Sequence, residues 1–177
     1  MAYEGIRQIQ KTSTACAGAS TAFVITHVCI QAGAYVPSLQ DAIVRELHLD
    51  KHGARLREDV YPWLEQNRLG LSPMGLRWQL TPSLVDQPMT TGDLIAWVKV
   101  GGGRHGAVVG LDPATLYAGS TSADGHAVGL VFSTDEQDGR EGVVLVDPWP
   151  TLPQQTRPPP SIHAARVRFP DVLLLSC

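Results

Sequence analysis

The chain reads as an α+β protein, with helices first and an antiparallel sheet second. Three observations predict this. Ala17 to Ala34 is apolar nearly all round; Leu39, Ala42, Ile43 and Leu47 form a helical stripe; and beyond Gly70 the pattern changes to short alternating or β-branched runs punctuated by glycine and proline. With 177 residues, 44% of them hydrophobic and 18% charged, the chain is one ordinary domain, able to bury about two thirds of its unfolded surface. We divide it into a helical lobe over about 1–70 and a β lobe over about 71–177.

The first helix carries Phe23, Val24, Ile25, Val28, Cys29 and Ile30 with little polar face, the pattern of a helix buried on most sides. Ser13 or Thr14 can cap its start, and Gly33 lies near its end. A second helix follows Ser38, with Asp41 completing a partial capping box. A third starts at Pro62, a residue suited to a first helical position, and runs to Leu69 before Gly70. Leu76 to Leu80 then alternates like a strand, stopped by Thr81-Pro82. Leu94–Val100 and His105–Leu111 are expected to be two antiparallel strands around the turn Gly101-Gly-Gly103. Leu116–Ala118, Ala127–Phe132, Gly142–Val146 and Val167–Leu175 are further strands. Pro153 and Pro158-Pro-Pro160 mark an extended surface crossing. No internal repeat or linker interrupts this order.

A formal charge of −3 argues against a general electrostatic affinity for nucleic acid or anionic membrane. The loose patch of Lys51, Arg55 and Arg57 is interleaved with Asp50, Glu58 and Asp59, as on a solvated face. No stretch of about 20 apolar residues predicts a membrane span, and the opening Met-Ala-Tyr-Glu-Gly-Ile-Arg lacks the layout of a secretory signal. Export without a cleaved signal stays open. Three cysteines, an odd number, do not make a disulfide framework. Cys16 and Cys29 on one helix would stand roughly 20 Å apart, too far to bridge. Cys29 is assigned to the core, and Cys177 has no partner in view.

The chemistry-bearing feature is Gln10-Lys-Thr-Ser-Thr-Ala-Cys16. A cysteine in the first turn of a helix feels the positive end of the helix dipole, which favours thiolate over thiol. Its own backbone N–H, freed at the helix start, can donate to a developing oxyanion, and the Gln10 amide can supply a second donor. His105, in Arg-His-Gly-Ala-Val-Val-Gly, is the candidate general base. Asp147, at the end of the run Val143–Val146, is the candidate group orienting the imidazole, with Asp112 its main rival. Asp147 before Pro148 can also simply start a turn. Trp149 is core or cleft wall. His48 and His52 are spaced like metal ligands, but Gly53 ends the helix and no third ligand is evident, so no metal is expected. Gly101-Gly-Gly103 lacks the lysine and setting of a phosphate loop, and no cofactor is expected. His27, His126 and His163 are assigned structural or exposed roles.

These motifs resemble the papain-like cysteine peptidase superfamily. The order is Gln, Cys, His, Asp; the cysteine begins the central helix; the histidine begins a strand; and the acid sits in Val-Asp147-Pro148-Trp149. Two small bacterial branches are similar: the peptidase domains of peptide-exporting ABC transporters, which cleave leaders after double glycine, and stand-alone bacterial effector proteases opening with Gln-x-Thr-Ser-x-x-Cys. The resemblance implies a half-barrel sheet packed on a helical lobe, with Cys16 as nucleophile, His105 as general base and acid, Asp147 as orienter and Gln10 as oxyanion donor. It implies a peptidase acting on a protein or peptide, and a possible inhibitor or immunity partner. It implies action in the cytoplasm of the producing cell or after delivery to another. Deamidation, amide hydrolysis or acyl transfer through the same thioester are alternatives; phytochelatin synthases share the Gln-x5-Cys opening. A catalytically silent binding module of the same fold is a third. Two departures stand out. Ala17 follows the cysteine where many relatives carry an aromatic residue or glycine. The 42 residues from His105 to Asp147 exceed what compact relatives need, which predicts an inserted hairpin around Ser120 to Gly139.

Overall fold

A computed structural model describes residues 10, 13–31, 39–49, 52–67, 80–117, 125–134, 139–149, 156–157 and 167–177. Its first helix, α1 (Cys16–Gln31), starts at the cysteine itself. Ala17, Phe23, Val24, Ile25, Val28 and Cys29 are all buried, as an all-round apolar helix requires. Of the polar side chains it takes inside, Ser20, Thr26 and His27 are hydrogen-bonded, while Thr21 Oγ1 is buried without a hydrogen-bond partner among the described residues. Ser20 Oγ donates to the Ala127 carbonyl at 3.0 Å, and Thr26 Oγ1 donates to the Ala22 carbonyl at 2.7 Å. His27 Nε2 donates to the Phe132 carbonyl at 3.2 Å, and burial holds this imidazole neutral with a pKa near about 4.

Helix α2 (Leu39–Glu46) buries Leu39 and Ile43. A π-helical turn, Leu56–Val60, leads into α3 (Tyr61–Asn67), where Trp63 Nε1 donates to Glu46 Oε2 at 2.7 Å and joins the two helices. The expected ends of these helices at Ala34, Ser38, Leu69 and Gly70 lie outside the described residues.

Among the described residues six strands follow: β1 (Thr81–Leu84), β2 (His105–Leu111), β3 (His126–Thr134), β4 (Glu141–Val146), β5 (Thr156–Arg157) and β6 (Val167–Ser176). They pair antiparallel throughout, in the order β1-β6-β2-β3-β4-β5. Side chains alternate between the two faces along β2, β3, β4 and the last residues of β6, whose pairing with β2 shifts register opposite Val109–Leu111. Val108, Ala127, Val131, Val144, Val146, Leu173 and Leu175 join the core beneath α1, while Ala107, Val109, Val128, Leu130, Val143, Leu145 and Leu174 join a second core on the other face. Both faces are covered, so the strands read as continuous apolar runs rather than as alternating ones. Two glycines on the α1 face set the approach of helix to sheet. A Cβ at Gly106 would stand 2.5 Å from Val24, and one at Gly129 would stand 2.9 Å from the same side chain.

Four local expectations are corrected. Thr91–Val100 is not a strand but a helix, α4, which builds the second core with Leu94 and Val98. Its start is a full capping box. Thr90 Oγ1 accepts from the Asp93 N–H at 3.1 Å, and Asp93 Oδ2 accepts from the Thr90 N–H at 2.8 Å. Thr81-Pro82 does not end a strand but forms β1; at the edge of the sheet a proline costs no ladder bond. The segment expected to loop out as a hairpin contains β3, which lies between β2 and β4 inside the sheet. Leu116 and Tyr117 follow a 3₁₀ turn, Pro113–Thr115, and are not in a strand. Pro153, Pro158–Pro160, Ser120 and most of Leu76–Leu80 lie outside the described residues. Among the described residues no helix is long and apolar enough to cross a membrane.

Candidate active site

The start of α1, the start of β3 and the exit of β4 meet at one end of the sheet. Their three residues there are Cys16, His126 and Asp147. His126 Nε2 lies 2.9 Å from Asp147 Oδ1, and the Cys16 thiol is hydrogen-bonded to the same imidazole. With Nε2 engaged by the carboxylate, Nδ1 is the ring nitrogen left for sulfur. Asp147 is fully buried and His126 is 6% exposed, so each charge survives only because the other is there. Asp147 has further donors. Tyr117 Oη donates to Oδ2, and the Trp149 N–H donates to Oδ1 at 3.0 Å. The Trp149 ring stands edge-on to His126 at 6.0 Å, shielding the pair from water.

The electrostatics follow from this packing. Burial alone would raise the Cys16 thiol, but the His126 hydrogen bond and charge, with N–H groups of Ala127 and Ala17 directed at sulfur, bring it below the ordinary thiol range. Burial alone would lower His126; its bonds to Asp147 and Cys16 outweigh that and push it up to about 9. Burial would likewise raise Asp147, and His126, Tyr117 and the Trp149 N–H together hold it down. All three shifts run toward a thiolate–imidazolium pair backed by a carboxylate.

Iodoacetamide is therefore expected to label Cys16 readily at about pH 6, where an ordinary thiol is roughly 0.3% ionised. In a His126→Ala protein the labelling profile should move back toward the ordinary thiol value; an unmoved profile would refute the pairing. The stability signs are fixed too. The raised imidazolium contributes fully below its unfolded value of about 6.5, and that contribution is lost as pH rises through about 9. The depressed carboxylate contributes above about 3.9, and that contribution is lost as pH falls through its folded value.

Cys16 and Asp147 thus stand together as anticipated, and His105 does not join them. His105 opens β2, opposite Ser176, whereas the other end of β2, Leu111, is opposite His126. Six residue steps at about 3.3 Å put it roughly 20 Å away, at the far end of the sheet. There Nδ1 donates to the Trp97 carbonyl at 3.0 Å and the ring stacks on Trp97 at 4.2 Å. Asp112 is a turn cap, accepting from the Ala114 N–H at 3.1 Å.

Gln10 is 4% exposed and its backbone N–H donates to the Pro148 carbonyl at 2.9 Å. The segment entering α1 is thereby tied to the segment leaving β4, one residue past the acid. Lys11 and Thr12 of the opening motif lie outside the described residues.

Sequence reasoning passed over His126 and Tyr117. His126 had a usable signal: it opens a strand just as His105 does, and its separation from Asp147 is 21 residues, one hairpin, instead of 42. Tyr117 had none, because its role depends on the turn at Pro113–Thr115.

A cavity of about 730 Å³ adjoins the thiol, lined by Cys16 and His126 and, among others, Arg55, Glu58, Arg168 and Asp171. Gly110 makes room for it, since a Cβ there would stand 2.3 Å from Asp171 Oδ2. Asp171 Oδ1 accepts from the Leu56 N–H at 3.2 Å and anchors the π-helical turn to the cavity rim. Among the described residues no cluster of histidine, cysteine and carboxylate side chains could hold a metal ion. No protein-family model and no curated protein sequence matches the chain.

Proposed function

We propose that the protein is a cysteine hydrolase of papain-like type that cleaves peptide or amide bonds through a thioester. The observation carrying this reading is the Cys16–His126–Asp147 constellation at a helix start beside an open cavity. The chain order, the helix-initial cysteine, the strand-initial histidine, the acid after a strand and the tryptophan beside the imidazole all support the papain-like assignment. In this reading Cys16 Sγ attacks the acyl carbon and forms the tetrahedral oxyanion. The imidazolium gives its Nδ1 proton to the leaving amine, and the neutral imidazole then takes a proton from water to release the acid. Asp147 keeps Nε2 protonated and the ring aligned. Gln10 and the Cys16 N–H are the oxyanion donors.

Peptides and proteins are the substrates we propose. The cavity mixes the guanidinium groups of Arg55 and Arg168 with the carboxyl groups of Glu58 and Asp171, which suits an extended polar chain. We place the activity in a reducing cytoplasm, that of the producing cell or of a recipient, where Cys16 stays free.

p-Nitrophenyl acetate tests the chemistry without knowledge of the substrate. The expected result is a burst of nitrophenol with acetyl trapped on Cys16, a mass gain of about 42 Da. A linear time course with no acyl-protein would overturn the reading. Mass spectrometry of proteins incubated with the enzyme then distinguishes backbone cleavage from deamidation, a gain of about one dalton. Gln10→Ala is expected to slow turnover by two to three decades, about 3–4 kcal/mol, with Cys16 alkylation unchanged. Turnover at the wild-type rate would remove Gln10 from the oxyanion site.

A further inference from the structure

The end of α1 remote from Cys16 carries a second pair of sulfurs. Cys29 is fully buried, and its Sγ lies 3.4 Å from Sγ of Cys177, the residue after β6. Cys177 is half-buried, and its backbone N–H donates to the Arg104 carbonyl at 3.0 Å, which fixes it beside the start of β2. All three cysteines are thiols in this structure. A disulfide needs about 2.05 Å between sulfurs, so closing the gap takes about 1.4 Å of side-chain movement.

We propose that Cys29 and Cys177 form a reversible disulfide that clips α1 to β6 while leaving Cys16 free. The oxidant is a small-molecule disulfide of the glutathione class. Cys177, the accessible member, attacks one sulfur of it as thiolate and expels one thiolate, giving a mixed disulfide. Cys29 then loses its proton, attacks Cys177 Sγ and expels the second. Two protein thiols are oxidised by two electrons, the small disulfide is reduced to two thiols, and the two protons pass to those thiols.

The asymmetry of the pair fits these roles. The S–H of Cys29 bonded to Cys177, with Arg104 nearby, lowers the Cys177 thiol against the effect of burial. The same bond, with burial, raises Cys29. Cys16 cannot compete, because 13 helical residues at 1.5 Å put it roughly 20 Å from Cys29. The closed loop would span 148 positions, long enough to restrict the unfolded chain strongly.

The test is incubation of the full chain with glutathione disulfide or with glutathione, followed by intact mass, peptide mapping and thermal unfolding. Expected are a loss of about 2 Da, a Cys29–Cys177 peptide, and iodoacetamide labelling confined to Cys16. The oxidised protein should unfold roughly 5–15 °C higher than the reduced one, and Cys177→Ser should abolish that shift. The wild-type peptide map decides the matter even if a variant folds poorly. A link that includes Cys16, a stable glutathione adduct at Cys177 without closure, or no mass change would overturn the proposal.

Discussion

His126→Ala is expected to lower kcat/KM for p-nitrophenyl acetate by about four decades or more, while His105→Ala stays within about a factor of three of wild type. The two histidines are chemically alike in sequence, since each opens an apolar strand. They differ in where antiparallel pairing puts them. Consecutive strands start at opposite ends of a sheet, so β2 carries His105 away from α1's first turn and β3 brings His126 back to it. Removing His126 leaves sulfur as an ordinary, half-buried thiol and leaves Asp147, fully buried, without its main counter-charge. Thermal unfolding should therefore accompany the kinetics, and His126→Gln, which keeps a donor toward Asp147, separates lost catalysis from lost packing. Equal losses in the His105 and His126 variants would remove the site from this end of the sheet.

Cys16→Ala is expected to abolish the burst and to reduce steady turnover to the uncatalysed rate, a loss on the order of 10⁶. Alanine is accommodated at the first position of α1, where Ala17 already follows in a buried setting, so folding should persist. The variant loses the bond-forming atom and the sulfur partner of His126 but keeps the His126–Asp147 pair, which makes it a trap for bound substrates. A Cys16→Ala protein that still accumulates acyl-enzyme would mean that another residue is the nucleophile.

The helical half was legible because each signal was local. Phe23 to Cys29 announced a buried helix, and the Leu39–Ile43 stripe announced an amphipathic one. Strands β3, β4 and β6 were legible from their apolar runs. Leu94–Val100 was misjudged because its apolar residues are as strand-like as helical, and the deciding information lay just upstream in Thr90 and Asp93. The meeting of Cys16 and Asp147 was legible because helix starts and strand ends are encoded nearby. The histidine was not, because strand pairing is a long-range property. The excess spacing to Asp147 was the visible symptom: the expected strand Ala127–Phe132 lay within it, with a second histidine at its start.

The bond from the Gln10 N–H to the Pro148 carbonyl has a consequence for control. On the oxyanion role proposed for Gln10, breaking this tie to the β4 exit is expected to withdraw one stabiliser of the transition state while leaving the sulfur–imidazole pair intact. Such a protein would be armed yet idle, still marked by an alkylating probe but slow on every substrate.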